Sequence, residues 1–240
     1  MARLAVVTGG TRGIGAAVSI ALKEKGYQVI ANYHHNHQAA QSFSEQYGIT
    51  VQGWDAGDAQ ACQYHLQEIQ SQYGTVDILV HGAGITRDSF FHKMSVEMWQ
   101  EVLQTNLHSC FYMVRPIIEA MRQQGFGRIV LISSVNALKG QAGQTNYCAT
   151  KAGIIGFAKA LSLETATKGI TVNVIAPGYI KTEMVQAIAE PILEKIIAQI
   201  PQGRLGTPQE IAQAIAYLVS EEASYITGET LNINGGLYLH

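Results

Sequence analysis

Cysteine and charge are both scarce in this chain, and each scarcity removes a class of protein. The three cysteines, Cys62, Cys110 and Cys148, are odd in number, far apart and form no CxxC. A disulfide framework is thereby disfavoured and a reducing, cytoplasmic setting is expected. Charged residues make up only 14% of the chain, and the formal net charge is −2. Such a balance offers no electrostatic grip on DNA or RNA, so no nucleic-acid partner is expected. No apolar run approaches the roughly 18 residues of a membrane span, and no membrane association is expected. The apolar stretch of "MARLAVVTGG" is too short for a secretory leader and runs straight into glycines. Linkers, low-complexity tracts and internal repeats are missing as well, which predicts one domain over residues 1–240.

What is present is a regular alternation. Short β-rich apolar runs occupy 3–8, 27–32, 50–54, 76–81, 127–133, 170–176 and 230–234. Helix-like segments lie between them near 13–25, 37–47, 59–73, 96–124, 146–168, 183–199 and 208–220. Several strand candidates are apolar throughout, as parallel strands covered on both faces must be. The pattern predicts an α/β fold, a doubly wound parallel sheet of about seven strands with helices on both faces.

The segment "VVTGGTRGIG" (6–15) sets Gly9, Gly13 and Gly15 between the first strand and the first helix. Glycines there permit a tight turn, close backbone approach to a pyrophosphate and close helix–sheet contact. The helix start adds free N–H groups and the positive end of its dipole. No Gly-Lys-Ser/Thr follows, so this is not a P-loop, and a dinucleotide is expected. Residues 27–44 contain no acid to hold a ribose 2′-hydroxyl, whereas Arg12 supplies a cation that can clasp a 2′-phosphate. NADPH/NADP+ is the expected cofactor. His34, His35 and His37 have no cysteine or carboxylate close by in sequence; they read as loop histidines near the adenosine end, and no metal is expected.

In "NYCATKAG" (146–153), Tyr147 and Lys151 stand one helical turn apart, on one face. A phenol with a pKa near 10 exchanges protons poorly at neutral pH. A cation roughly 4 Å away, at an effective dielectric near 20, contributes about 4 kcal/mol and is expected to lower that pKa by roughly three units. General acid–base chemistry works best there. Ser133 and Ser134 close the fifth strand, at the edge where doubly wound sheets hold ligands. Asn106 falls on the long 96–124 segment, and Pro177-Gly178 follows the sixth strand.

These features together resemble the short-chain dehydrogenases/reductases, from Arg3 to the C-terminus. "TGGTRGIG", Asn106, Ser134, "YCATK" with its tyrosine thirteen residues later, and Pro177-Gly178 appear in family order and spacing. The resemblance implies a Rossmann-type fold and a catalytic tetrad of Asn106, Ser134, Tyr147 and Lys151. Tyr147 would exchange the proton, Ser134 would hold the substrate oxygen, and Lys151 would bind the nicotinamide ribose, with Asn106 supporting a water relay. It also implies cofactor contacts from Gly9, Thr11, Arg12, Gly13, Ile14, Gly15, Asn32, Asp55, Ala83, Gly84, Tyr147, Lys151, Pro177, Gly178 and Ile180. One departure is visible: where the family has Asn-Asn-Ala-Gly, this chain has His81-Gly82-Ala83-Gly84. Loss of the two amides predicts a looser loop or weaker cofactor affinity, with the chemistry retained.

Within that family, 82–95, 162–184 and 203–236 resemble 3-oxoacyl-acyl-carrier-protein reductases, and "ISSVNALKGQAGQTNY" (132–147) resembles acetoacetyl-CoA reductases more closely still. The likeness implies reduction of a 3-oxoacyl thioester, carried on CoA or acyl-carrier protein, to the R-configured 3-hydroxyacyl product. It places Asp88, Ser134, Gln141, Gln144, Tyr147 and Tyr179 in the substrate pocket, although the two glutamines read equally well as a polar loop before a helix. Residues 183–199 read as an apolar cover over the acyl chain or, given Pro191, as a bent surface helix. Arg122, Arg128 and Lys168 are candidates for a basic rim that meets the carrier, or plain solvated surface. The helices at 96–124 and 146–168 are apolar on more than one side, which fits the family's homotetramer and also intrachain packing.

Overall fold

The computed structural model describes residues 2–239, with the side chain of Met184 excepted; the ends of the expected 1–240 domain, Met1 and His240, lie outside the described residues. Seven strands form one sheet: β1 (Leu4–Thr8), β2 (Gln28–Tyr33), β3 (Thr50–Gly53), β4 (Val76–His81), β5 (Gly127–Ile132), β6 (Ile170–Pro177) and β7 (Thr230–Ile233). Their order is β3-β2-β1-β4-β5-β6-β7, and every neighbouring pair is parallel. The chain thus winds outwards from β1 in one direction, then returns past β1 to continue in the other. That reversal between β1 and β4 opens a crevice at the carboxyl ends of the strands.

The continuously apolar runs have the physical cause the sequence suggests. β1, β5 and β6 are buried at every position. Alternate residues point to opposite faces of a strand, so each run feeds two cores. Leu4, Val6, Leu79, Ile129, Leu131, Val172 and Val174 pack on one face. They meet helix α3 (Ala59–Tyr73), α5 (Ser109–Val114) and α8 (Thr145–Thr165) through Leu66, Met113 and Ile154. Ala5, Val7, Ile78, Val80, Val130 and Ile132 pack on the other face. There α1 (Gly13–Glu24), α2 (His37–Tyr47) and α11 (Pro208–Leu218) supply Leu22, Phe43 and Ile215.

Two long helix-like segments are broken. The 96–124 segment divides into α4 (Val96–Leu103), a wide π-type turn at Gln104–His108, α5, and α6 (Ile118–Gln124). Pro116 lies in the gap between α5 and α6, where a ring without an N–H cannot continue a helix. The 183–199 segment becomes α9 (Glu183–Gln186) and α10 (Glu190–Ile197), with Pro191 in the first turn of α10. A four-residue helix, α7 (Asn136–Lys139), was not foreseen; it follows β5 and is too short for a periodic signal.

Candidate active site

The glycine turn is as tight as its spacing implies. Gly13 opens α1 at a φ of +53°, a left-handed conformation that disfavours a side chain. A Cβ on Gly15 would lie 2.0 Å from the Gly9 carbonyl oxygen, so only glycine fits. Arg12 caps α1 with extended backbone and no side-chain bond, leaving the first-turn N–H groups uncapped. These residues border a cleft of about 860 Å³ at the carboxyl edge of the sheet. All fifteen expected cofactor residues line it: Gly9, Thr11, Arg12, Gly13, Ile14, Gly15, Asn32, Asp55, Ala83, Gly84, Tyr147, Lys151, Pro177, Gly178 and Ile180.

At the end of the cleft beside β2, Asn32 is buried and donates to the Trp54 carbonyl at 2.9 Å. Asp55 accepts from the Gly57 N–H at 2.8 Å and lies 3.8 Å from His34. His34 and His35 stack with ring centroids 3.5 Å apart, and both line the cleft with Tyr33. The expected cofactor set leaves these three rings out; His34 and His35 do lie where loop histidines near the adenosine end are expected, and Tyr33 closes β2 beside them. No cluster of three metal-ligating side chains occurs among the described residues. The glycine cradle and the Arg12 guanidinium, which makes no ion pair among the described residues, fit a phosphorylated dinucleotide.

Three of the four expected catalytic residues, Ser134, Tyr147 and Lys151, line this cleft, and Asn106 lies behind its Gly84 wall. Ser134 sits just past β5, its Oγ accepting from the Asn136 N–H at 3.1 Å, and it lines the cleft together with Tyr147. Lys151, one turn along α8 from Tyr147, is buried. Asn106 is fully buried in the wide turn rather than exposed on a helix. Its Oδ1 accepts from the Ile85 N–H at 2.8 Å, and its Nδ2 donates to the Ile85 carbonyl at 3.0 Å.

The electrostatics differ from the sequence expectation. The Tyr147 phenol is pushed up from its ordinary pKa, first by burial, against a lowering hydrogen bond from Ser134. The ammonium of Lys151 is shared: Nζ donates to the Ile132 carbonyl at 2.7 Å and lies over the Tyr147 ring, 5.7 Å from its centre. Desolvation outweighs a cation at that distance. Burial also lowers Lys151 itself to about 8, with Cys110 acting in the opposite direction.

The loop after β4 is held by hydrogen bonds that need neither amide. Thr8 Oγ1 accepts from the N–H groups of Gly82 and Ala83, at 2.9 and 3.1 Å. Buried His81 in turn contacts Thr8 Oγ1 through Nδ1 at 2.9 Å and Ser109 Oγ through Nε2 at 2.8 Å. The expectation counted the bonds of the missing asparagines without those of the imidazole.

The expected substrate residues are only partly gathered. Gln144 Nε2 donates to Asp88 at 2.8 Å, and Gln144 Oε1 accepts from Asn136 at 2.9 Å, beside Ser134. Asp88 also raises the phenols of Tyr147 and Tyr179, after burial, which places it near both. Tyr179 borders a neighbouring cavity of about 520 Å³ instead of the main cleft. Gln141 is exposed and bonded to Lys139 at 2.8 Å, outside the cleft lining. Thr182, Glu183 and Val185 line the cleft, so the start of the 183–199 segment borders it, whereas α10 buries none of its described side chains.

The basic rim is a correction. Arg128 is the second residue of β5 and Arg122 precedes it on α6, while Lys168 precedes β6. All three therefore sit at the amino edge of the parallel sheet, opposite the cleft. Arg128 is buried, its guanidinium 4.3 Å from the Phe126 ring centre and bonded to the Gly169 carbonyl at 3.1 Å. Its role is to close the foot of the sheet. The helices read as subunit surfaces do leave Phe111 and Leu163 exposed.

Comparison with known proteins agrees with this geometry. A family profile described as enoyl-(acyl carrier protein) reductase matches residues 9–238. The acetoacetyl-CoA reductase of Rhizobium meliloti (strain 1021) is 54% identical over 239 residues, covering 99% of each chain. That of Paracoccus denitrificans is 52% identical over 240 residues, again covering 99% of each. The 3-oxoacyl-(acyl-carrier-protein) reductase FabG of Escherichia coli (strain K12) is 45% identical over 239 residues, covering 99% of this chain and 98% of its own. With the glycine turn, the serine–tyrosine–lysine arrangement and full-length similarity in place, the chain belongs to the short-chain dehydrogenase/reductase family, whose reductases use a nicotinamide cofactor.

Proposed function

We propose that this protein reduces a 3-oxoacyl thioester, acetoacetyl-CoA in preference, to the (3R)-3-hydroxyacyl thioester with NADPH. The observation that carries the reading is the Ser134–Tyr147 hydroxyl pair, set in the same cleft as the glycine turn. When bound, the dihydronicotinamide supplies a hydride to C3 of the substrate. Ser134 and Tyr147 hold the ketone oxygen between two hydroxyls, so charge that develops there meets donors already in place. As the C3–O π electrons move onto oxygen, the Tyr147 O–H gives it the proton and is left as phenolate. Lys151, held at the Ile132 carbonyl, stabilises that phenolate and anchors the ribose, and Asn106 supports the water that reprotonates it. The resemblance of 132–147 to acetoacetyl-CoA reductases, and the identities above, support CoA as the carrier.

A second reading, reduction of a carbon–carbon double bond, takes support from the description of the family profile. Two hydroxyl side chains in one cleft, Ser134 and Tyr147, suit a ketone oxygen and favour the first reading. A steady-state panel decides: NADPH oxidation with acetoacetyl-CoA, acetoacetyl-carrier protein and crotonyl-CoA, repeated with NADH. Turnover is expected to be fastest with acetoacetyl-CoA and NADPH; turnover of crotonyl-CoA alone would sink the proposal, and preference for the carrier protein would move it to fatty-acid synthesis. In the same panel Arg12→Ala is expected to raise the KM for NADPH ~10–100-fold, as for a lost charged hydrogen bond, and to leave the KM for NADH nearly unchanged.

A further inference from the structure

We propose that His81 is a positioning residue, which locks the cofactor loop at Gly82–Ile85 to the turn that carries Asn106. The proposal rests on reading the cleft as a dinucleotide site. The proton inventory around the imidazole is complete. Ser109 Oγ donates its hydrogen to the Thr105 carbonyl at 2.5 Å, so towards His81 it can only accept. The imidazole must therefore carry its hydrogen on Nε2 and donate to Ser109. Nδ1 is then an acceptor, filled by the Thr8 hydroxyl, whose oxygen already receives the Gly82 and Ala83 N–H groups. Every donor in this chain has one acceptor, and reversing any member would set two donors or two acceptors face to face.

The two ends of the chain are functional neighbours. Ala83 and Gly84 line the cleft, and a Cβ placed on Gly84 would stand 3.3 Å from Asn106 Oδ1 and 3.4 Å from Lys151 Nζ. The loop therefore rests directly on the pair that serves Tyr147. Its far end is pinned by Asn106 at Ile85, its near end by Thr8 at Gly82 and Ala83. His81 joins those pins across the space between β4 and α5. Burial, reinforced by the Lys151 ammonium of α8, drops the His81 pKa to about 3. The ring stays neutral across the working range, as a two-sided strut requires. An asparagine here could satisfy Thr8 but would fall short of Ser109.

The test combines NADPH fluorescence titration with steady-state reduction of acetoacetyl-CoA by the wild type and by His81→Phe, Thr8→Val and Ser109→Ala. His81→Phe, which keeps the ring volume and loses both bonds, is expected to raise the NADPH Kd about tenfold and lower kcat about tenfold, the worth of one hydrogen bond at each end. Thr8→Val is expected to move mainly Kd and Ser109→Ala mainly kcat, with KM for acetoacetyl-CoA steady within ~twofold. A merely structural histidine would lower the denaturation midpoint of each folded variant and leave Kd and kcat at wild-type values; that result overturns the proposal. If His81→Phe does not fold, the split between Thr8→Val and Ser109→Ala decides, and parallel changes in both variants overturn it. A wild type that does not bind NADPH overturns the dinucleotide reading itself, which distinguishes the two failures.

Discussion

Tyr147→Phe is expected to lower kcat for acetoacetyl-CoA reduction by ~10²–10⁴-fold, the usual worth of a positioned proton donor. Only the hydroxyl is removed, so the ring keeps its packing on α8 and the protein should fold as the wild type does. The size of the loss follows from the protonation state. Burial raises the Tyr147 pKa above its ordinary value of 10.0, so at neutral pH the phenol is almost wholly in the protonated form that a donor must have. The same shift has the opposite effect on the reverse reaction. Oxidation of the 3-hydroxyacyl thioester needs the phenolate, whose fraction grows as pH rises towards the raised pKa. Oxidation is therefore expected to accelerate with pH over a range in which reduction does not, and that asymmetry should vanish in Tyr147→Phe.

The second large effect concerns Lys151. Lys151→Met keeps most of the side-chain shape and removes the charge; kcat/KM should fall roughly 10²–10³-fold, as for loss of a preorganised electrostatic donor. The pH profile identifies the cause. A lysine whose pKa is lowered from 10.5 to about 8 holds its proton below pH 8 and loses it above. In the wild type, kcat/KM for NADPH, which reports ionisations of the free enzyme, should decline as pH rises through about 8. In Lys151→Met that decline should be absent. Stability gives a control. The unfolded chain keeps this lysine charged up to about 10.5, so the buried ammonium disfavours folding at neutral pH, and its contribution improves between pH 8 and 10.5. Removing the charge relieves a penalty of about 3 kcal/mol and orphans the Ile132 carbonyl at a cost of about 1–3 kcal/mol. The denaturation midpoint should thus stay near that of the wild type, and unfolding cannot account for the lost activity.

The glycine turn and the Tyr147–Lys151 pair were legible because their partners are near in sequence. Gly15 must approach Gly9 six residues away, and one helical turn separates the phenol from the amine. The sheet was legible for a related reason: strands buried on both faces carry uninterrupted apolar runs. Contacts made across the sheet were not legible. Nothing local marks Asn106 as buried, because helical periodicity continues through the wide turn that holds it. The direction of the Lys151 ammonium depends on the Ile132 carbonyl, nineteen residues away on another element. Arg128 looked like a surface cation because its cover, Phe126, Gly169 and Glu221, is assembled by the fold. The His81 substitution looked like a loss because its gains lie on Thr8 and Ser109, 73 and 28 residues away.

The measurement that bears most directly on the reaction itself is the position of the transferred hydrogen. With NADPH carrying deuterium at both C4 positions and acetoacetyl-CoA as substrate, the product 3-hydroxybutyryl-CoA is predicted to bear one deuterium on C3, the former ketone carbon, and none on C2. Product that lacks deuterium at C3, or transfer only to the double bond of an enoyl thioester, would contradict the account.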